Sequence, residues 1–324
     1  MVLAATSRLA GLISMAASAT AVMVAAATAN DGGRGWPGTV LITASAIAFS
    51  LAGLFTRLID LDVWTVLFWR ALFGGIFIAG YIVWREGRRV LPAIRQTGIA
   101  GVAVTISSAL ATICFINALR QTSVADVLVI NATAPFITAA LAYAWTADRE
   151  HWTTLAASLV ALVGVVVMIS GALASGHLLG DLLALIMTIL ISAMMVIVRR
   201  NRNISMLPAA CLSAFLCAVI VAPVSHPLAA TAHDFLYLAL FGTMQFGLGL
   251  LLLTLGTRLF SATRSALIGS LETPLAPAWV WLAVGEIPAV ATVVGGLIVM
   301  AAVLGDILLQ KSSAVPERVE QAAA

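Results

Sequence analysis

The sequence predicts an all-α integral membrane protein with ten transmembrane helices, arranged as two inverted five-helix repeats around a central cavity. Three observations lead there. The 324 residues are 62% hydrophobic and only 10% charged, with a mean hydropathy of +1.08, whereas a soluble domain carries roughly 25% charged residues. From Pro37 onward, apolar segments of about 20 residues, the length that spans a bilayer, follow one another. The second half also repeats the first in order. Gly38-Thr39-Val40-Leu41 aligns with Gly180-Asp181-Leu182-Leu183, and Asn131-Ala132-Thr133-Ala134-Pro135 with Ser270-Leu271-Glu272-Thr273-Pro274. Five segments per half is an odd number, so the halves insert in opposite directions.

Residues 1–35 form an N-terminal extension. Leu9 to Ala29 is apolar but built mostly of Ala, Ser and Thr, a weak spanning signal. Arg8 before it and Ala27-Thr28-Ala29 after it resemble a signal peptide. A cleaved signal, an interfacial helix and a loose cytoplasmic extension all fit. Asp31-Gly32-Gly33-Arg34-Gly35 reads as a flexible lead-in. The first repeat, 36–172, is expected to hold helices at about 37–57, 63–84, 98–119, 124–146 and 152–172. The second, 178–310, is expected to hold them at about 180–199, 207–224, 235–256, 262–284 and 289–309. Residues 311–324 are polar and read as a disordered cytoplasmic tail.

The basic residues orient this map. With the N-terminus in the cytoplasm, 14 of the 17 Lys and Arg fall on the inner side, Arg57 and Arg120 fall outside, and Arg70 lies within a helix. Both termini are then cytoplasmic, and the expected location is the cell (inner or plasma) membrane. A net charge of +3, scattered along the chain, does not suggest nucleic acid. Cys114, Cys211 and Cys217 sit in apolar stretches without metal-ligand spacing and read as small buried hydrophobes. His151, His177, His226 and His233 fall between the apolar segments. No metal site and no cofactor is expected.

The ninth segment, Ser261 to Gly285, carries Glu272, Pro274 and Pro277 in its middle. A charge at membrane depth costs roughly 2.5 kcal/mol or more. A proline there bends the helix and frees a carbonyl, here one close to Ser270. Lipid repairs neither fault, so this face should point at protein or at a water-filled cavity. Glu272, about eleven residues into the helix, is the leading site residue: low dielectric favours its neutral form, so it could gain and lose a proton. A structural carboxyl is the alternative. Ser265 and Trp279, seven residues to either side, share its face.

Arg70 could grip a carboxylate or phosphate with its planar fork, snorkel to the outer interface, or pair with Asp126. Asp126 follows Ser123 by three, the spacing of a capping box. Asn131 precedes Pro135 by four and makes a polar face with Thr138; Gln245 lies midway along the eighth segment. Each could bind a substrate or serve as interhelical glue. Trp69, Phe73 and Phe77 form a stripe, either packing or an aromatic cavity wall. Gly285-Glu286-Ile287-Pro288 reads as an interfacial turn, and Asp181 suits a helix start. Ser50 and Ser192, with Gly242, Gly247, Gly249 and Gly295-Gly296, favour close helix contact.

Several stretches together resemble one family. They are Trp64 to Arg70 (WTVLFWR), Ala118-Leu119 followed by Ser123 to Pro135, Gly180-Asp181-Leu182-Leu183-Ala184, and Leu271 to Glu286. Their order and spacing resemble the EamA-type branch of the drug/metabolite transporter superfamily over roughly residues 36–310. The first repeat departs at its end: Ala147-Asp148-Arg149-Glu150 stands where the pattern has Gly-Glu, about three residues longer. The resemblance implies two bundled repeats around a substrate cavity, and ATP-independent export or uptake of small metabolites such as amino acids.

The leading function is therefore a secondary transporter, not an enzyme, that exports or exchanges a small metabolite by alternating access. Protons are the candidate coupling ion, the bilayer its surroundings, and monomer and homodimer both fit. An integral-membrane enzyme would need acids, histidines or a nucleophile clustered at one interface, and the acids here are scattered singly. A non-catalytic membrane subunit would leave Glu272 and the bent helices without a purpose.

Overall fold

The computed structural model describes residues 36–87, 90–122, 124–146, 150–169, 178–259, 261–285 and 289–323. The N-terminal extension, Ser123, the Asp126 and His233 side chains, Ala147-Asp148-Arg149 and Glu286-Ile287-Pro288 lie outside the described residues.

Among those residues every element is helical. The first half holds α1 (Trp36–Ser50), α2 (Ala52–Leu58), α3 (Val63–Glu86), α4 (Val90–Gln121), α5 (Val124–Ala132), α6 (Ala134–Thr146) and α7 (Trp152–Ile169). The second holds α8 (Leu178–Arg200), α9 (Leu207–Val221), α10 (Ala232–Leu240), a π-helical segment (Phe241–Gly247), α11 (Leu248–Thr257), α12 (Ala262–Gly269), α13 (Glu272–Val284) and α14 (Val290–Ala323).

Local chemistry sets the boundaries. Asp62 caps α3 by accepting from the backbone N–H of Trp64 and Thr65, each at 3.0 Å. Thr231 and Asp234 cap α10 reciprocally, so it starts three residues before the expected 235. The helix expected at 98–119 is preceded by further helical turns from Val90, and Gly98 marks the junction with φ 53° and ψ −148°. Gly285, with φ 83°, ends α13 in the left-handed conformation.

The helix expected at 37–57 is broken at Leu51, a correction, while those at 124–146 and 262–284 are interrupted at Thr133 and at Ser270-Leu271, beside Pro135 and Pro274, which the sequence marks as helix-breaking. The one expected at 235–256 changes to π-helical winding in its middle. α14 is drawn on as helix to Ala323, with Pro316 inside it.

Among the described residues, seven helical stretches are long and apolar enough to cross a membrane: Gly38–Phe55, Val63–Glu86, Val90–Ala118, Leu178–Arg200, Leu207–Val224, Asp234–Thr257 and Val290–Leu309. Ala134–Trp145 and Trp152–Met168 are apolar but shorter. The shortfall from ten comes from the two proline-broken helices and α7. The chain is nonetheless a multi-pass membrane protein.

The halves pack crosswise. The most extensive contacts join α7 to α14, α4 to α8 and α9, α3 to α9 and the π-helical segment, and α1 to α11, each pairing one helix from each half. Exchanging the halves maps this set of pairs onto itself, as a repeat related by a pseudo-two-fold axis should. Small residues bring the helices close. A Cβ on Gly164 would lie 2.9 Å from the Gly295 carbonyl oxygen. Ser45 Oγ donates to the Gly249 carbonyl at 2.8 Å, tying α1 to α11.

The tightest functional approach is α3 against the π segment. A Cβ on Gly74 would lie 2.6 Å from Phe246 Cδ1 and 2.9 Å from the Gly242 carbonyl oxygen. By contrast, a Cβ on Gly269 would meet nothing within 4 Å. Gly74→Ala is expected to destabilise the fold by about 1–3 kcal/mol through overpacking, while Gly269→Ala is not. Thermal unfolding of both variants in detergent checks this, and equal melting temperatures would contradict the packing described.

Candidate substrate site

A cavity of about 190 Å³ lies where the two halves meet. Most of its lining is apolar, from Ile42 and Phe49 of α1 to Met187 and Ile191 of α8. A few polar groups converge on it, chiefly Arg70, Asn131, Gln245 and Glu272. An apolar wall with sparse polar groups is the usual composition of a small-molecule site.

Arg70, on α3, is 7% exposed. Its guanidinium carbon lies 4.5 Å from the centre of the Phe246 ring and 5.4 Å from that of Phe241. Among the described residues no acid lies within ion-pair distance of it, although Glu272 shares its cavity, and its Nε has no hydrogen-bond partner. Gln245, 3% exposed, donates through Nε2 to the Phe49 carbonyl at 3.3 Å, while its Oε1 is likewise unpartnered. Phe241, Gln245 and Phe246 all belong to the π segment. Such i→i+5 windings are rare and recur at functional sites.

Glu272 is the first residue of α13. The helix is interrupted just before it by a tight turn, across which the first-turn N–H groups of Thr273 and Leu275 remain bonded to the Ser270 and Leu271 carbonyls. Pro274 falls in that same first turn, where a missing N–H removes no hydrogen bond. α6 begins in the same way, with Pro135 as its second residue. Both new helix starts, at Ala134-Pro135 and at Glu272-Thr273, line the cavity. The carbonyl at Ser270 is not left unpaired, contrary to expectation: Thr273 N–H donates to it at 3.1 Å, replacing the i+4 donor that Pro274 lacks with an i+3 turn. Thr133 closes a similar turn through its Oγ1 to the Ile130 carbonyl at 2.6 Å.

The structure thus brings Arg70, Asn131, Gln245, Glu272 and Pro135 to one cavity and places the other expected residues elsewhere. Thr138 donates to the Ala134 carbonyl at 2.7 Å. Ser265 donates to the Ser261 carbonyl at 3.0 Å. Trp279 donates through Nε1 to Ser50 Oγ at 2.8 Å, bolting α13 to α1. The shared face of Ser265, Glu272 and Trp279 assumed an unbroken helix, and the break at Ser270-Leu271 removes that premise. Pro274 packs beside Gly296, and Pro277 lies inside α13. The aromatic stripe is packing: Trp69 stacks on Phe73 with centroids 5.5 Å apart and bonds the Pro227 carbonyl at 3.2 Å. Phe241 and Phe246, beneath Arg70, were not singled out from sequence; a π segment has no composition of its own.

A multi-pass helical chain whose halves pack crosswise around a cavity with sparse polar groups has the architecture of a membrane transporter. The EamA-like transporter family matches residues 36–170 and 178–306, and the chain belongs to that family of the drug/metabolite transporter superfamily. Its members are transporters rather than enzymes. No curated protein matches the chain. Among 29 matching chains of solved structures, one described as "Crystal structure of protein" superposes with a TM-score of 0.72 at 18% identity. The match covers 84% of this chain and 97% of that one. At that identity the likeness concerns the fold alone.

The family match ends at Asp306, an intramembrane acid that sequence reading passed over. Its side chain is fully buried and accepts from Arg264 Nε at 3.1 Å and from Thr154 Oγ1 at 2.9 Å, joining α14 to α12 and α7. Asp306 lies close to the end of its apolar stretch at Leu309, beside Arg264, where the membrane-depth argument that drew attention to Glu272 is weaker. The first-repeat position aligned with Arg264 is Ala125, so the repeat does not duplicate this pair. Asp306→Ala would remove the carboxylate to which the largely buried Arg264 guanidinium donates, a loss on the order of 3 kcal/mol. Thr154→Val removes one hydrogen bond, about 1 kcal/mol. Thermal unfolding should rank Asp306→Ala well below Thr154→Val, and the reverse order would contradict the network.

Proposed function

We propose that this protein is a secondary, ATP-independent transporter that exports or exchanges a small metabolite such as an amino acid by alternating access, coupled to protons through Glu272. The observation that carries the reading is the charge arrangement. Arg70 from the first half and Glu272 from the second line one cavity, yet no ion pair joins them. Two opposite charges left apart across a small cavity suit a solute that brings both signs. Interrupted helices from each half also line the cavity, at Ala134-Pro135 and at Glu272-Thr273. Residues 36–172 and 178–310 are the two repeats, inserted in opposite directions.

The same reading holds that ten segments cross the cell membrane, with α5–α6, α7 and α12–α13 among them, and that both termini are cytoplasmic. The inward bias of Lys and Arg supports this orientation. Reporter fusions after Asp60 and Ala230 should score as outside, and fusions after Gly87 and Arg202 as inside. One clear inversion among the four rejects the map.

Flux into proteoliposomes, with labelled amino acids and an imposed pH gradient of either sign, tests the transport cycle. Glu272→Gln, which mimics the protonated carboxyl, should abolish gradient-driven net flux yet retain exchange. Arg70→Lys keeps the charge but loses the planar fork, and should raise KM about tenfold, the worth of one charged hydrogen bond, at near-normal expression. Glu272→Gln flux that follows the gradient like wild type removes Glu272 from coupling. Unchanged KM in Arg70→Lys removes Arg70 from binding.

A further inference from the structure

We infer that Phe246, with Phe241 beside it, is a positioning residue that holds the Arg70 guanidinium by its face so that its N–H edge is presented to a carboxylate of the transported solute. The inference rests on the transporter reading of this cavity and goes beyond it by assigning the aromatic pair and the anion it serves.

A buried guanidinium is ordinarily fixed by an acid or by carbonyl oxygens, and either would occupy its donors. Arg70 has neither: no ion pair includes it, and its buried Nε is unpartnered. What touches it are two rings, at 4.5 and 5.4 Å. A ring attracts the cation through its face, whereas the five N–H donors radiate in the guanidinium plane. Held in this way, Arg70 is immobilised without being neutralised. Its planar fork matches a planar, two-oxygen acceptor, which is a carboxylate.

The backbone is wound to make this possible. Phe241 and Phe246 are five residues apart. On an α-helix, at 3.6 residues per turn, two such side chains diverge by about 140°. In the π-helical segment Phe241–Gly247, i and i+5 close one turn and the two rings come round to the same guanidinium. Gly74 and Gly242 then let α3 approach closely enough for the contact: a Cβ on Gly242 would lie 2.6 Å from Phe73 Cβ and 2.8 Å from the Arg70 carbonyl oxygen.

The test uses the full chain, purified in detergent, with L-leucine and propionate as carboxylate probes and n-propylamine as the control. Binding is read as a ligand-induced rise in melting temperature. Wild type should respond to one or both carboxylates and not to the amine. Phe246→Leu should lose about tenfold in carboxylate affinity, within the range a desolvated cation–π contact supplies, and Phe246→Tyr should stay within about threefold of wild type. In flux, Phe246→Leu should raise KM more than it lowers the maximal rate. If Phe246→Leu does not fold, Phe241→Leu carries the test with a smaller loss of the same kind. Three results overturn the inference: no carboxylate response in wild type, a Leu variant that binds like wild type, or a Tyr variant that loses as much as Leu. Carboxylate binding that depends on Phe246 in a protein that moves no solute would instead uphold the inference and reject the transporter reading.

Discussion

The approach of α3 to the π-helical segment is the contact on which the site depends. Gly74 meets Gly242 and Gly247 with no room for a side chain between the backbones. That closeness does two things. It packs two long helices from opposite halves across the centre of the molecule, and it sets the Arg70 guanidinium against the Phe241 and Phe246 rings. A desolvated charge is costly; here Glu272 faces Arg70 across the cavity without an ion pair, and the aromatic faces hold the guanidinium. The gain is a cation that is fixed in place and still has donors to offer.

The broken helices are the second half of the design. A proline inside a continuous helix would cost about 3 kcal/mol. Pro135 and Pro274 avoid that cost because α6 and α13 start afresh beside them, and the tight turns at Thr133 and Ser270 satisfy carbonyls that would otherwise lose partners. The break also turns Glu272 and Thr273 toward the cavity. The Asp306–Arg264–Thr154 network anchors the far side of α12 against α14 and α7.

Much of this was legible in the residues. Lipid solvation demands long apolar runs, so hydropathy located the helices, and proline chemistry located the breaks at 131–135 and 270–274. Arg70 and Glu272 stood out because ionised groups at membrane depth need a reason. The misreadings share a cause. Placing Ser265 and Trp279 beside Glu272 extended a helical period through residues where the helix stops, and Thr138 fell off the cavity for the same reason. The Ser270 carbonyl looked orphaned because an i+4 ladder was assumed, while the chain tightened to i+3. Ten spans were read where seven qualify by length and apolarity, because broken helices keep the composition of a span but not its continuity.

The sequence by itself determined that the chain lives in a bilayer, that its halves are related, and where its backbone must break, because these follow from composition, periodicity and the missing proline N–H. Only the tertiary structure decided which polar groups share a cavity. Gln245 joins Arg70 and Glu272 there, whereas Trp279 bonds Ser50 and Asp306 bonds Arg264. The π winding that aims Phe241 and Phe246 at Arg70 was decided there too. The reason is physical: a local preference of a few tenths of a kcal/mol per residue yields to contacts between segments far apart in the chain, and those contacts exist only once the two halves have packed.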